Sequence, residues 1–104
     1  MGTLTDSEIA QRLAAAGEWR GADESGHQLD GGQPKAIVRE REFKDFAAAI
    51  AFVNRVAEVA EQANHHPDIL LHGWNKVRLT LSTHSQGGLT EADFRLAAQI
   101  DQLD

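Results

Sequence analysis

The sequence predicts an α+β domain in which a four-stranded antiparallel sheet carries three helices packed on one face, in the order α-β-β-α-β-β-α. One observation is a long amphipathic pattern in the middle of the chain, and a second is a regular apolar–polar alternation shortly after it. Helix-capping residues before the first and last apolar runs are the third. Because the predicted strands come in adjacent pairs, we expect antiparallel pairing with the helices on one face. The length of 104 residues suits a single domain, residues 1–104.

Each predicted helix begins at a capping residue. Residues 5–8, Thr-Asp-Ser-Glu, form a capping box, and Thr90 begins the last helix. The middle helix begins at Asp45 and ends near Asn64, because Pro67 disfavours helical geometry in the residue before it. The apolar residues at helical spacing are Ile9, Leu13 and Ala16 in the first helix, Phe46, Ile50, Val53, Ala57 and Ala60 in the middle one, and Phe94, Ala97, Ala98 and Ile100 in the last.

The strands are predicted from alternation and from β-branched content. Residues 76–83 alternate between an apolar set (Val77, Leu79, Leu81) and a polar set (Arg78, Thr80, Ser82), which is typical of a half-buried antiparallel strand. Residues 68–74 are its predicted partner. The segment 35–43 is charged and β-branched, which favours an exposed strand at the edge of the sheet. Short strands are also predicted around Trp19 and at 28–29.

Composition excludes several classes of function. Ten basic against sixteen acidic residues give a net charge of −6, which argues against a nucleic-acid binder and against adhesion to an anionic membrane. No apolar run approaches the length of a membrane span, and the first residues lack the pattern of a secretory signal. The chain has no cysteine, so thiolate chemistry and disulfides are excluded. We expect a soluble, cytoplasmic protein.

Histidines are concentrated in one part of the chain. Four of the five lie between residues 65 and 84. His65 and His66 follow the middle helix, where a broken terminus can turn both side chains toward one pocket. His84 is predicted to end a strand, and Asp93 lies in the first turn of the last helix. A helix end, a strand end and a helix start together can form the concave surface that ligands prefer.

Each of these residues also has a purely structural explanation. A histidine at a helix C-terminus can bond the free carbonyl groups, and Asp93 can be the capping-box partner of Thr90. Trp74 taken singly is more typical of a core or an interface than of a ligand site. Glu61 is either a solvated helix charge or the carboxylate that orients His65. His72 is expected on the surface.

The spaced pattern Glu61-x3-His65-His66-Pro67-x6-Trp74-x9-His84-x8-Asp93 resembles the signature of the pterin-4a-carbinolamine dehydratases. The stretches Phe-Lys-Asp-Phe at 43–46, Asn-Lys-Val-Arg-Leu-Thr-Leu-Ser-Thr-His at 75–84 and Gly-Leu-Thr-Glu-Ala-Asp at 88–93 resemble the same family. The resemblance covers roughly residues 35–104, with a looser match over the first helix and Trp19.

The resemblance implies a hydro-lyase that dehydrates 4a-hydroxytetrahydropterin, without cofactor or metal, in tetrahydrobiopterin recycling. It implies that His65 and His84 are the acid–base pair, that His66 helps to bind and polarise the hydroxyl group, and that Asp93 orients a histidine. Which histidine is the acid stays open. Histidine suits both roles, since an unperturbed imidazole has a pKa of about 6.5. The further residues that the resemblance assigns to substrate binding are Asn64, Ser82, Thr83, Trp74 and Glu61.

Two features depart from the family's pattern. Arg41 stands where relatives commonly have an apolar aromatic residue, so that face of the strand is expected to be exposed or differently paired. The spacer between Pro67 and Trp74 is the longer of the two that the family tolerates, and it predicts a bulge or a longer turn.

Other functions stay open beside the dehydratase. Three histidines and a carboxylate could hold zinc, although no helical pair of histidines four residues apart supports this. A partner-binding or assembly role without catalysis is the second alternative, because the family resemblance includes such proteins. The resemblance also implies a homodimer or a homotetramer, for which the predicted edge strand at 35–43 offers mild support.

Overall fold

The computed structural model describes residues 2–29 and 31–103, and it has the predicted fold class and element order. Three helices and four strands alternate as the sequence predicts. No helix within the described residues combines the length and the apolar character that a membrane span requires. The elements in chain order are α1 (Asp6–Ala14), β1 (Arg20–Ala22), β2 (Ala36–Glu42), α2 (Phe46–Ala63), β3 (Asp68–His72), β4 (Lys76–Leu81), a 3₁₀ turn (His84–Gln86) and α3 (Glu91–Asp101).

The four strands form one antiparallel sheet in the order β1-β2-β4-β3. The expectation that the strand at 35–43 is an edge was therefore wrong, because β2 lies between β1 and β4. Two of its four charged residues lie on the outer face of the sheet, where Glu40 lies opposite Arg78 and Glu42 opposite Lys76. Arg39 and Arg41 lie on the helical face, where Arg39 pairs with Asp101 of α3. Opposite charges in such cross-strand pairs stabilise the pairing of two strands, so charged residues do not by themselves mark an edge.

The two true edges differ in how they are covered. Beside β1, the chain folds back, and the Leu29 amide donates to the Gly21 carbonyl while the Asp23 amide donates to His27. The predicted strand at 28–29 is reduced to a single bridge between Ala22 and Gln28. Beside β3 no further strand is present in the described part of the chain. The open edge of the sheet is therefore β3.

The core lies between the sheet and the helices. Val77, Leu79 and Leu81 point into it, as their alternation predicts. The prediction of which apolar residues of α2 face the core was largely wrong, because Phe46 is 53% and Ile50 is 39% exposed. Apolar residues occupy two adjacent stripes of this helix, so periodicity alone could not select the buried one. The residues of α2 that are buried are Ala49, Phe52, Val56 and Ala60.

Arg41, the departure from the family pattern, lies on the helical side of β2. Its guanidinium carbon is 4.8 Å from the centroid of the Phe52 ring and 5.1 Å from that of Phe43. The two rings are themselves 5.0 Å apart. A planar cation over an aromatic face is a favourable contact, so Arg41 covers the aromatic pair that closes this end of the core.

Candidate active site

The two adjacent histidines that follow α2 point in different directions. Asn64 is the C-cap of α2 and has the left-handed conformation, with φ of 52°. Asparagine tolerates this conformation better than most residues, which makes it a common helix terminator. After this turn, His65 points inward with a side chain that is 16% exposed, whereas His66 is exposed. The two adjacent side chains thus lie in different environments, one largely buried and one in solvent.

His65 is held by a buried carboxylate. Its Nε2 lies 2.6 Å from Oδ1 of Asp93, whose side chain is completely buried. The other oxygen of Asp93 accepts the Thr90 backbone N–H at 2.9 Å and the Thr83 hydroxyl at 2.8 Å. A buried charge is tolerated when it is paired and fully hydrogen-bonded, which these three donors achieve. Asp93 is therefore both the capping-box residue of α3 and the partner of His65.

This arrangement determines the tautomer of His65. An ionised carboxylate only accepts hydrogen bonds, so Nε2 of His65 carries the proton that faces Asp93. In the neutral ring, Nδ1 is then the nitrogen with a free lone pair. A carboxylate at this distance also stabilises the positive charge that the ring gains when it accepts a second proton. His65 can therefore act as a base at Nδ1.

His84 lies beside this cluster. The strand β4 ends at Leu81, before the predicted Thr83, so His84 begins the 3₁₀ turn instead of ending the strand. Its neighbour Thr83 donates its hydroxyl hydrogen to Asp93, so the backbone of His84 follows directly on the hydrogen-bonded network that holds His65. The ring of His84 is exposed and makes no hydrogen bond within residues 2–29 and 31–103. It is available to a ligand.

Other predicted site residues have partners elsewhere. Glu61 had two possible explanations, a solvated helix charge or the carboxylate that orients His65. Its carboxylate lies 2.8 Å from Nε2 of His66 instead, and both of these side chains are largely exposed. The Ser82 hydroxyl donates to the Lys35 carbonyl at 2.9 Å, on the outer face of the sheet. His72, partly exposed, bonds Glu40 at 2.6 Å.

Trp74 is not brought to the cluster of its own chain. It lies in the turn between β3 and β4, at the end of the hairpin opposite Thr83. A strand rises about 3.3 Å per residue, so the two positions are roughly 30 Å apart. The indole is 61% exposed.

A small cavity that the sequence analysis missed opens beside His65. Its volume is about 140 Å³, and Arg95 and Gln99 of α3 contribute polar groups to its wall. The remaining lining residues are Ala63, Ala92 and Leu96. No sequence signal distinguishes Arg95 from the other charged residues of an exposed helix face. In the described part of the chain, no three His, Asp or Glu side chains are placed to hold a metal ion together.

Comparison with known proteins gives the family. The sequence profile of the family described as pterin 4 alpha carbinolamine dehydratase matches residues 2–103. The chain belongs to the pterin-4-alpha-carbinolamine dehydratase family.

Relatives in this dehydratase family match over almost their whole length. A protein of Acidobacterium capsulatum, whose name assigns it provisionally to the pterin-4-alpha-carbinolamine dehydratases, is 48% identical over 103 residues, which cover 99% of each chain. A protein of Trichormus variabilis with the same provisional name is 51% identical over 101 residues, covering 97% of this chain and 96% of the relative.

Two solved structures share the fold. A transcriptional coactivator/pterin dehydratase from Brucella melitensis superposes with a TM-score of 0.80 at 36% identity, covering 96% of each chain. A pterin dehydratase-like protein, identified as a RuBisCO assembly factor in the alpha-carboxysome, superposes with a TM-score of 0.56 at 28% identity. That match covers 68% of this chain and 81% of the other. The family therefore includes proteins named for roles other than dehydration.

Proposed function

We propose that this protein dehydrates a 4a-hydroxytetrahydropterin to the quinonoid dihydropterin, as a hydro-lyase. The observation that carries this proposal is the hydrogen bond between His65 and the buried Asp93, with the exposed His84 next in the chain to Thr83, which bonds the same carboxylate. A purely structural capping box needs the carboxylate of Asp93 but not the histidine. Family membership supports the same reaction.

The reaction is an elimination that needs one base and one acid. One imidazole accepts the proton of ring nitrogen N5, and the other donates a proton to the hydroxyl group on C4a. The C4a–O bond breaks, the N5–C4a double bond forms, and water leaves. Positioned general acids and bases each accelerate such steps by roughly 10²- to 10⁴-fold. Asp93 holds His65 in the tautomer that leaves Nδ1 free, and it stabilises the charge on that ring.

The remaining residues are proposed to bind and position the pterin. His66, held by Glu61, lies next to His65 and is exposed enough to contact the hydroxyl side of the substrate. The backbone of Asn64 and of residues 82–83 frames the flat ring, because these segments flank the two catalytic histidines. The side chains of Ser82 and Thr83 already have partners, so they contribute through position more than through free hydroxyl groups. This reaction would serve tetrahydrobiopterin recycling.

We further propose that the protein assembles as a homodimer or homotetramer. Two exposed apolar surfaces support this: the open edge at β3 with Ile69 and Leu70, and the outer face of α2 with Phe46 and Ile50. Exposed apolar side chains grouped in this way are typical of interaction surfaces.

A second candidate is a binding or assembly role without catalysis. The similarity to the RuBisCO assembly factor favours it, although that match covers only 68% of this chain. Such a role would not require the hydrogen bond between His65 and the buried Asp93. Measured dehydration separates the two candidates.

The decisive experiment follows the decay of freshly generated 4a-hydroxytetrahydropterin by absorbance. The wild type should accelerate the decay, and His84→Ala should lose most of that acceleration while keeping the wild-type circular dichroism spectrum. The matched control is His27→Ala, an exposed histidine beside the opposite edge of the sheet, which should keep full activity. No acceleration by folded wild-type protein would refute the proposal and favour the binding role.

A further inference from the structure

The cavity beside His65 contains an arginine that the proposed elimination does not use. Arg95 and Gln99 lie one turn apart on the same side of α3, and their exposed side chains form part of the cavity wall. The guanidinium of Arg95 makes no hydrogen bond and no ion pair within residues 2–29 and 31–103. The wall of this cavity therefore carries a cation that no side chain of the described residues pairs with.

The carboxylate one helical turn before Arg95 already has another partner. Glu91 accepts two hydrogen bonds from Arg12, at 2.7 and 2.5 Å. These hydrogen bonds are the main reason why the pKa of Glu91 lies below its ordinary value, and the positive charge of Arg95 lowers it further. Arg95 is thus close enough to act on Glu91 through its charge, but Arg12 binds both carboxylate oxygens. The donors of Arg95 are left for a ligand.

The size and the lining of the cavity suit a small anion. A volume of about 140 Å³ has room for roughly four or five non-hydrogen atoms, at about 30 Å³ for each water-sized group. A phosphate group has this size, and so does a carboxylate with one or two methylene groups. A planar guanidinium binds either anion through two parallel hydrogen bonds. The apolar lining residues Ala63, Ala92 and Leu96 offer no competing donor.

The chemistry of the substrate places one of its substituents next to this cavity. In a pterin, C6 is bonded directly to N5, so its substituent begins about 4 Å from the imidazole nitrogen that accepts the N5 proton. With His65 as that base, the C6 substituent starts beside the cavity that His65 lines. We propose that this cavity binds a phosphate or carboxylate group on the C6 substituent, and that Arg95 gives the preference for such anionic pterins. This inference rests on the proposed function of the His65 site.

Binding of a pterin that does not react tests this preference without turnover. Isothermal titration calorimetry compares three oxidised pterins whose C6 side chains carry a phosphate ester, a carboxylate or a neutral hydroxyl group. Because hydrogen bonds to a charged group are strong, wild-type protein should bind one or both anionic pterins about 10- to 100-fold more tightly than the neutral one. The tighter of the two identifies the anion. Equal affinity for all three would overturn the proposal.

Substitutions of Arg95 test whether this side chain causes the preference. Arg95→Ala should bind the anionic and the neutral pterins equally, with the affinity for the neutral pterin unchanged. Arg95→Lys keeps the charge without the planar pair of donors and should retain part of the preference. The matched control is Arg20→Ala, which removes an exposed arginine of β1 outside this cavity and should retain all of it. A preference that survives Arg95→Ala would refute the role of Arg95.

Steady-state kinetics separate this inference from the proposed dehydration. With an anionic 4a-hydroxytetrahydropterin, Arg95→Ala should raise KM by about 10- to 100-fold at an unchanged kcat, because Arg95 binds a group remote from the bond that breaks. KM for the neutral substrate should stay the same. Wild-type protein that dehydrates both substrates with equal KM would overturn the anion site and leave the dehydratase standing. Wild-type protein inactive on both would refute dehydration, and the calorimetry would still decide whether the cavity binds anions.

Discussion

The Asp93 carboxylate links His65 to the start of α3: one of its oxygens lies 2.6 Å from Nε2 of His65, and the other accepts the Thr90 amide at 2.9 Å. Asp93 is therefore the capping-box residue that the sequence predicts, and its second oxygen is bonded to His65. One buried side chain accepts a hydrogen bond from a free backbone amide at the start of α3, and it also sets the tautomer of the proposed base. Substitutions at this position should separate the two roles, since one depends on charge and the other on hydrogen-bond acceptance.

Asp93→Asn should reduce activity far more than stability. The amide oxygen can still accept from Thr90, but its NH₂ group would face Nε2 of His65 and favour the tautomer with the proton on Nδ1. The base would then be blocked, and kcat should fall by about 10²- to 10⁴-fold. Single-turnover kinetics with thermal melts of the same sample measure both quantities. A variant with wild-type kcat would remove Asp93 from the mechanism.

Asp93→Ala should destabilise the fold as well. The amide of Thr90 and the hydroxyl of Thr83 would lose an acceptor in a buried place, and each such loss costs about 1–3 kcal/mol of unfolding free energy. Glu8→Ala is the matched control, because Glu8 accepts the Thr5 amide in the equivalent but exposed capping box of α1. Its loss should stay near about 1 kcal/mol. Urea denaturation that gave equal losses for the two variants would contradict the role of burial.

The assembly should depend on β3 and α2 in different ways. A lysine in place of Leu70 puts a charge at the centre of the β3 edge and should dissociate the dimer, since edge lysines prevent strand pairing. A lysine in place of Ile50 lies on the outer face of α2 and should leave the dimer intact while removing any tetramer. Sedimentation velocity over a concentration series measures both. A dimer that survives Leu70→Lys would locate the interface elsewhere.

Features set by a few consecutive residues were predicted more reliably than features set by which helix or strand packs alongside. The capping boxes, the end of α2 and the inward side of β4 follow from short-range patterns, and the structure has them all. The edge position of β2 and the buried stripe of α2 were wrong, because charge and apolarity do not show which surface a neighbour covers. The distance between Trp74 and the histidine cluster depends on the direction of the β3–β4 hairpin, and the spacing of residues along the sequence does not show that direction.

The Arg12–Glu91 ion pair should make stability depend on acid pH. Two hydrogen bonds at 2.7 and 2.5 Å join α1 to the start of α3, and they hold the pKa of Glu91 below its ordinary value. A carboxyl group with a lowered pKa in the folded state binds fewer protons than in the unfolded chain. Its contribution is therefore present above the ordinary value of 4.5 and is lost as the pH falls through the lowered one.

Glu91→Gln should abolish this part of the pH dependence. The variant should be less stable than the wild type at pH 7, and the difference should shrink as the pH falls below the ordinary value of 4.5 and through the lowered pKa of Glu91. Because both side chains are more than a third exposed, solvent screening keeps the effect small, and added salt should reduce it further. Urea titrations at a series of pH values measure it, with Glu58→Gln as an exposed control on α2. A stability difference that persisted unchanged at low pH would show that packing, and not charge, accounts for the role of Glu91.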